Sequence, residues 1–177
     1  RAMNTWRSFL IVAVASVMIA ANWTLFIWSV QTGQTTQTIL GYYVYPLVAV
    51  LIGRLIFGER LARVQWVAVG LAALAVSLLT YGLGTLPWIA VTLALTFGLY
   101  GLIKKQLAVG PLVSVSCEVL LLTPFAVLIL LQTYHNGAAP FGADWSTFVL
   151  LILTGPITAV PLILFSYAAR RLAMATV

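Results

Sequence analysis

Acid–base, nucleophilic and metal chemistry all need ionisable side chains, and this chain holds few. Its carboxylates are Glu59, Glu118 and Asp144, its one histidine is His135 and its one cysteine is Cys117. Only Glu118 falls inside an apolar run, in "VSVSCEVLLLTP" (113–124). Carboxylate-pair catalysis needs a second acid nearby, and no apolar run holds one. A zinc site takes about four ligands, whereas His135 sits in a polar loop with only Asp144 for company. A lone Cys117 closes no intrachain disulfide and reads as a small buried hydrophobe. The patterns G-x-x-x-x-G-K-[ST], H-E-x-x-H and G-x-S-x-G are absent, and Gly82-Leu83-Gly84 is an isolated G-x-G. The sequon at Asn22-Trp23-Thr24 lies within an apolar run, out of reach of glycosylation. The expectation is therefore no enzyme, no metal and no cofactor. Uphill movement of a solute would draw on an ion gradient, an exchange or a partner.

The other available chemistry is recognition by hydrogen bonds and aromatic faces. Four groups of such residues interrupt the apolar runs: Asn22, Trp23 and Thr24 with Trp28 beyond; Tyr42, Tyr43 and Tyr45 before Pro46; Thr92, Thr96 and Tyr100; and Ser114, Ser116 and Glu118. In hydrocarbon such groups are costly and face a cavity or a neighbouring helix. Trp28 and Tyr42 suit either an interfacial belt or a binding surface. Asn22 suits either helix–helix hydrogen bonding or the lining of a path. Glu118 suits either proton coupling or a static bond to a serine or backbone group.

The elements that position these residues follow from composition. Of 177 residues, 63% are hydrophobic and 7% charged, and mean hydropathy is +1.10. Soluble domains average about 25% charged residues, so this is an integral membrane chain. A spanning helix needs about 20 mostly apolar residues, and six segments qualify: about 8–30, 38–57, 64–83, 86–103, 112–132 and 146–168. Runs such as "LIVAVASVMIAA" are apolar all round and lack the alternation of transmembrane strands. The predicted class is an all-α, polytopic helix bundle.

The formal charge is +6, and its placement is informative. Arg1 and Arg7 precede the first span. Arg54, Arg60 and Arg63 surround the second turn, Lys104 and Lys105 follow the fourth span, and Arg170 and Arg171 follow the sixth. The other three connections contain neither Lys nor Arg. All nine basic residues thus fall on one side of a six-span zigzag, predicted to be cytoplasmic by the positive-inside rule. Basic residues spaced this way do not form a nucleic-acid surface. The connections are short, and the longest, about 133–145, reads as an outer connector.

Packing signals accompany the spans. Ala90, Ala94 and Gly98, with Gly101 beyond, form a small-residue stripe that lets another backbone approach. Pro46, Pro124, Pro156 and Pro161 lie within spans, where breaks can mark gates. Sliding the chain by 139 residues lays "AANWTLFIWSV" (20–30) over "AVPLILFSYAA" (159–169). Those spans are five apart, so they run in opposite senses, as in an inverted repeat of five spans per half.

The segment "ILGYYVYPLVAVLIGRLIFGERLARVQWVAVGLAALAV" (39–76) resembles the end of an EamA repeat, with its central proline, the Gly58-Glu59-Arg60 turn and Gln65-Trp66 opening the next helix. EamA proteins belong to the drug/metabolite transporter superfamily. Within it, "NWTLFIWSV", "LGYYVYPL", "LALTFGLYGLIKKQ" and "VPLILFSYAARRL" are similar to the RarD branch, named for chloramphenicol sensitivity. The resemblance covers nearly the whole chain, as the third to eighth of ten helices. Residues 1–83 would be the C-terminal part of a first repeat and 84–177 the N-terminal part of a second. It implies an inner-membrane permease with two inverted five-helix halves and a central substrate cavity.

The reading is a secondary transporter that moves a small metabolite or drug-like molecule by alternating access. A non-transporting membrane scaffold, or a subunit of a larger complex, is the rival. Substrate-path candidates are Asn22, Trp23, Trp28, Tyr42, Tyr45, Tyr100 and Glu118, with Glu118 also the coupling candidate. Gly58, Glu59 and Arg60 form a structural turn in which Glu59 makes an interfacial ion pair beside Arg60 and Arg63. Expected partners are a small-molecule substrate and the lipid bilayer, no nucleic acid, and a homodimer as a possible assembly. Glu118, six residues into its span, would lie where a cytoplasm-facing cavity could wet it.

Overall fold

The computed structural model describes residues 6–59, 62–84, 87–107, 109–137 and 144–172. Six helices account for nearly all of them: α1 (Trp6–Gln31), α2 (Thr35–Ile56), α3 (Arg63–Leu83), α4 (Trp88–Gln106), α5 (Pro111–His135) and α6 (Trp145–Arg171). All six are long and apolar enough to cross a membrane. No strand occurs among the described residues. The chain is an all-α polytopic membrane protein, and its helices overlie the predicted spans with a few polar residues added at the ends. Helix continues there because intrahelical hydrogen bonds satisfy the backbone with or without lipid around it.

Local chemistry sets the helix ends. Pro111 opens α5 at a position whose N–H would have no helical partner. Gln65 reaches back so that its Oε1 accepts from the Ala62 N–H at 2.8 Å, closing the first turn of α3. Asp144 accepts from the Thr147 N–H at 2.5 Å and caps α6. Gly84 ends α3 at φ +66°, and Gly58 turns the chain after α2 at φ +64°, a region that glycine enters without steric cost. The helices run on through Pro46, Pro124, Pro156 and Pro161. These prolines therefore do not divide their helices into separate segments.

The chain forms two compact units: Arg1–Ser16 with Leu107–Tyr167, and Val17–Gln106 with Ala168–Val177. In the first, Val12, Leu107 and Val109 form a small core, with Ile11, Cys117 and Leu121 against it. In the second, Leu40, Val44, Val48 and Ile52 of α2 pack on Ala90 and Ala94 of α4. The small-residue stripe is what allows this approach. A Cβ on Gly98 would stand 2.7 Å from Val48 Cγ1, and one on Gly41 would stand 3.3 Å from the Ala90 carbonyl oxygen. Elsewhere apolar side chains point outward: Leu71, Leu74 and Leu78 of α3 and Leu150, Ile157 and Leu164 of α6 are exposed. Helices apolar on all faces suit a hydrocarbon solvent. These units record packing; descent by repeats is a separate matter on which packing does not bear.

Candidate functional site

In the second unit three helices bring polar and aromatic side chains to one depth. Asn22 lies nine residues before the end of α1, Tyr45 ten residues after the start of α2, and Thr96 eight residues after the start of α4. At 1.5 Å per residue these are about 12–15 Å from the α1–α2 turn side. That is near the middle of a hydrocarbon layer of about 30 Å.

The contacts at this depth are specific. Asn22 Nδ2 donates to the Leu93 carbonyl oxygen and to Thr96 Oγ1, each at 2.9 Å. The Thr96 hydroxyl donates to the Thr92 carbonyl at 2.8 Å, so its oxygen is left to accept from Asn22. A carbonyl can only accept, which assigns the nitrogen end of the Asn22 amide to α4 and turns its oxygen away. The next residue, Phe97, meets Tyr45 edge-on, with ring centroids 5.1 Å apart. Below it Tyr100 is fully buried and stacks on Phe97 at 6.0 Å. Lys104 Nζ then stands 5.1 Å from the Tyr100 ring centre.

Toward the α1–α2 turn the other aromatic candidates pair in sequence. Phe26 meets Tyr42 at 6.2 Å, and Trp28 meets Trp88 at 6.0 Å. Ser29 and Thr38 share a hydrogen bond of 2.6 Å that holds the two helix ends together. Trp23 is half-buried and has no ring partner among the described residues. Asn22, Tyr45 and Tyr100 thus belong to one wall built on α4. Trp28 and Tyr42 line the same helices nearer their ends. Tyr43 faces a different surface, a groove it lines with Ile39, Leu78 and Gly82.

The turn after α2 is tied down by a lysine from another helix. Glu59 Oε1 lies 2.7 Å from Lys105 Nζ at the end of α4. The same ammonium donates to the Leu172 carbonyl at 3.1 Å and stands 4.4 Å over the Phe57 ring. The ion pair expected of Glu59 exists, and it reaches a lysine 46 residues away; Arg60 lies outside the described residues.

Glu118 lies in the first unit, seven residues into α5. It is 2% exposed, and its Oε1 accepts from Ser114 Oγ, one turn earlier, at 2.9 Å. The expectation of a carboxylate wetted by an open cavity is corrected here. Packing around the start of α5 encloses it, with the equally buried Ser114 beside it.

Phe97, Trp88 and Lys105 were not among the site candidates, whereas Thr96 was singled out with Thr92 and Tyr100. Phe97 carried a weak signal, since it lies on α4 within one turn of Tyr100. Lys105 carried none, because its basic charge was fully accounted for by topology. No group of three or more metal-ligating side chains occurs among the described residues.

The fold and these contacts define a membrane-spanning helical protein with a polar and aromatic wall on facing helices. Residues 2–81 match the EamA-like transporter family, and over most of its length the chain is similar to several proteins named RarD. It is 44% identical to a Protein RarD of Streptomyces exfoliatus over 93% of its own length and 52% of that protein's. It is 42% identical to an uncharacterized transporter of Pseudomonas aeruginosa, over 95% and 57% of the two chains. A Chloramphenicol-sensitive protein RarD from the same organism is 29% identical over 91% and 54%. The chain thus spans a little over half the length of these relatives. No solved structure matches it. It is a multi-pass bacterial membrane protein.

Proposed function

We infer that this chain forms part of a secondary transporter that moves a small, partly apolar molecule across the inner membrane. The observation that carries the reading is the meeting of Asn22, Tyr45, Thr96 and Phe97 on three helices near mid-membrane depth. Transporters place substrate sites there because a site at the centre can be opened to either side by rocking the helices around it. The aromatic pairs from Trp28–Trp88 through Tyr45–Phe97 to Tyr100 offer apolar faces along the same helices. The Lys/Arg-bearing connections lie in the cytoplasm under the positive-inside rule. The work is transport and not catalysis, by alternating access between two inverted halves of five helices. Glu118 is the proposed coupling residue, because a carboxylate enclosed by protein can exchange a proton when access changes.

The test is counterflow in proteoliposomes. Ligands are first found by thermal shift of the purified protein, starting with chloramphenicol because one relative bears that name. A ligand that binds is expected to exchange across the bilayer, and the aromatic substitution Tyr45→Ala is expected to slow that exchange by about two- to tenfold, on the scale of a lost aromatic contact. Ligands that bind without ever exchanging would leave the scaffold reading standing instead.

A further inference from the structure

The bonds of Asn22 are unevenly used. Both N–H groups of its amide are committed to α4, at 2.9 Å each. The carboxamide oxygen, by contrast, receives no hydrogen bond from any described residue, and the side chain is only half-buried. Its orientation is not adjustable. Flipping the amide would set its oxygen against the Leu93 carbonyl, two acceptors facing each other. The result is a fixed acceptor near the middle of the membrane, where an unmet carbonyl is costly.

The immediate neighbours define what could meet it. Asn22 holds the Leu93 carbonyl, and Phe97 lies one turn beyond Leu93 on the same face of α4. Phe97 and Tyr45 present an edge-to-face pair at 5.1 Å. No carboxylate lies within α1, α2 or α4, so no counter-charge favours a cation.

We propose that the Asn22 amide oxygen selects flat, neutral ligands that carry an N–H or O–H donor and pack their ring against Tyr45 and Phe97. This rests on the binding site of the transporter reading and specifies its ligand class. Asn22 then has two tasks. Its nitrogen holds α1 to α4, and its oxygen reads the ligand. A ligand without a donor would strand the acceptor and lose affinity, which is how a polar site rejects close analogues.

Two ring probes of matched size test this: 4-fluorophenol, which has a donor, and 4-fluoroanisole, which has none. Binding to the purified protein in detergent is read by fluorine NMR line width, with partition into empty micelles subtracted. The expected result is that 4-fluorophenol binds at least about fivefold more tightly, the scale of one hydrogen bond. Asn22→Leu is expected to erase the preference, and Phe97→Leu to weaken both probes alike. Equal binding of the two probes, or a preference that survives in folded Asn22→Leu protein, overturns the selectivity and leaves the aromatic site standing. If neither probe binds above empty micelles, the aromatic site itself fails and the selectivity with it. Should Asn22→Leu not fold, the probe ratio on the unchanged protein together with Phe97→Leu still decides.

Discussion

Lys105 Nζ and Glu59 Oε1 are 2.7 Å apart, joining two residues separated by 46 positions in the chain. Their side chains are 19% and 15% exposed, between a solvated surface pair and a buried one. Exposed pairs contribute about 0–1 kcal/mol, and breaking a buried one costs about 3–5 kcal/mol. Lys105 also holds the Leu172 carbonyl and covers the Phe57 ring, so its loss is felt beyond the ion pair. Glu59→Gln is expected to lower stability by about 1–2 kcal/mol, and Lys105→Met by somewhat more. Thermal unfolding in detergent of both single variants and the double variant measures the coupling. Strictly additive effects would show that the pair contributes nothing as a pair.

The approach of α4 to α2 depends on Gly98. A methyl group there would stand 2.7 Å from Val48 Cγ1 and 3.1 Å from Ile52 Cδ1. Val48 is β-branched and cannot easily turn away. Gly98→Ala should therefore destabilise the protein by about 1–3 kcal/mol, the usual cost of overpacking. Val48→Ala alone leaves a small cavity, but combined with Gly98→Ala it should recover a large part of the loss. Melting curves that show no recovery in the double variant would place the strain elsewhere.

Asp144 supplies a pH dependence with a definite sign. The Thr147 N–H, at 2.5 Å, and its hydroxyl, at 2.7 Å, both donate to this carboxylate. The backbone bond first, and then the side-chain bond, hold its pKa below the ordinary 3.8. A carboxyl lowered on folding adds stability above its unfolded value and loses it as pH falls through the lower folded midpoint. The cap on α6 is thus intact at neutral pH and fails only in acid, below about 3.8. Asp144 is the chain's single aspartate, so aspartate-selective carbon-13 labelling follows it alone. Thr147→Val keeps the N–H bond and should move the midpoint only part of the way back. An unmoved midpoint would remove the hydroxyl from the account.

For the coupling role proposed for Glu118, the substitution Glu118→Gln keeps the shape and the acceptor toward Ser114. It is expected to leave the protein folded and to flatten the pH dependence of exchange for whichever ligand passes the counterflow assay. If exchange by Glu118→Gln responds to pH as the unchanged protein does, Glu118 serves packing and not coupling.

Sequence by itself determined the six helices and their membrane character. Each of these is a sum over about 20 neighbouring residues, so no distant contact can reverse it. It also marked Ala90, Ala94 and Gly98 as a surface of close approach, because small side chains at four-residue spacing share one helix face. Which surface they meet was decided by the tertiary structure, and it is the Leu40–Ile52 face of α2. Only the fold could put Asn22 on Leu93 and Thr96, residues 71 and 74 positions away, or give Glu59 a lysine from α4. A helix that is apolar nearly all the way round has no polar side to mark which face turns toward which neighbour. Hydrogen bonds and ring contacts choose among those faces, and they exist only once the helices have packed.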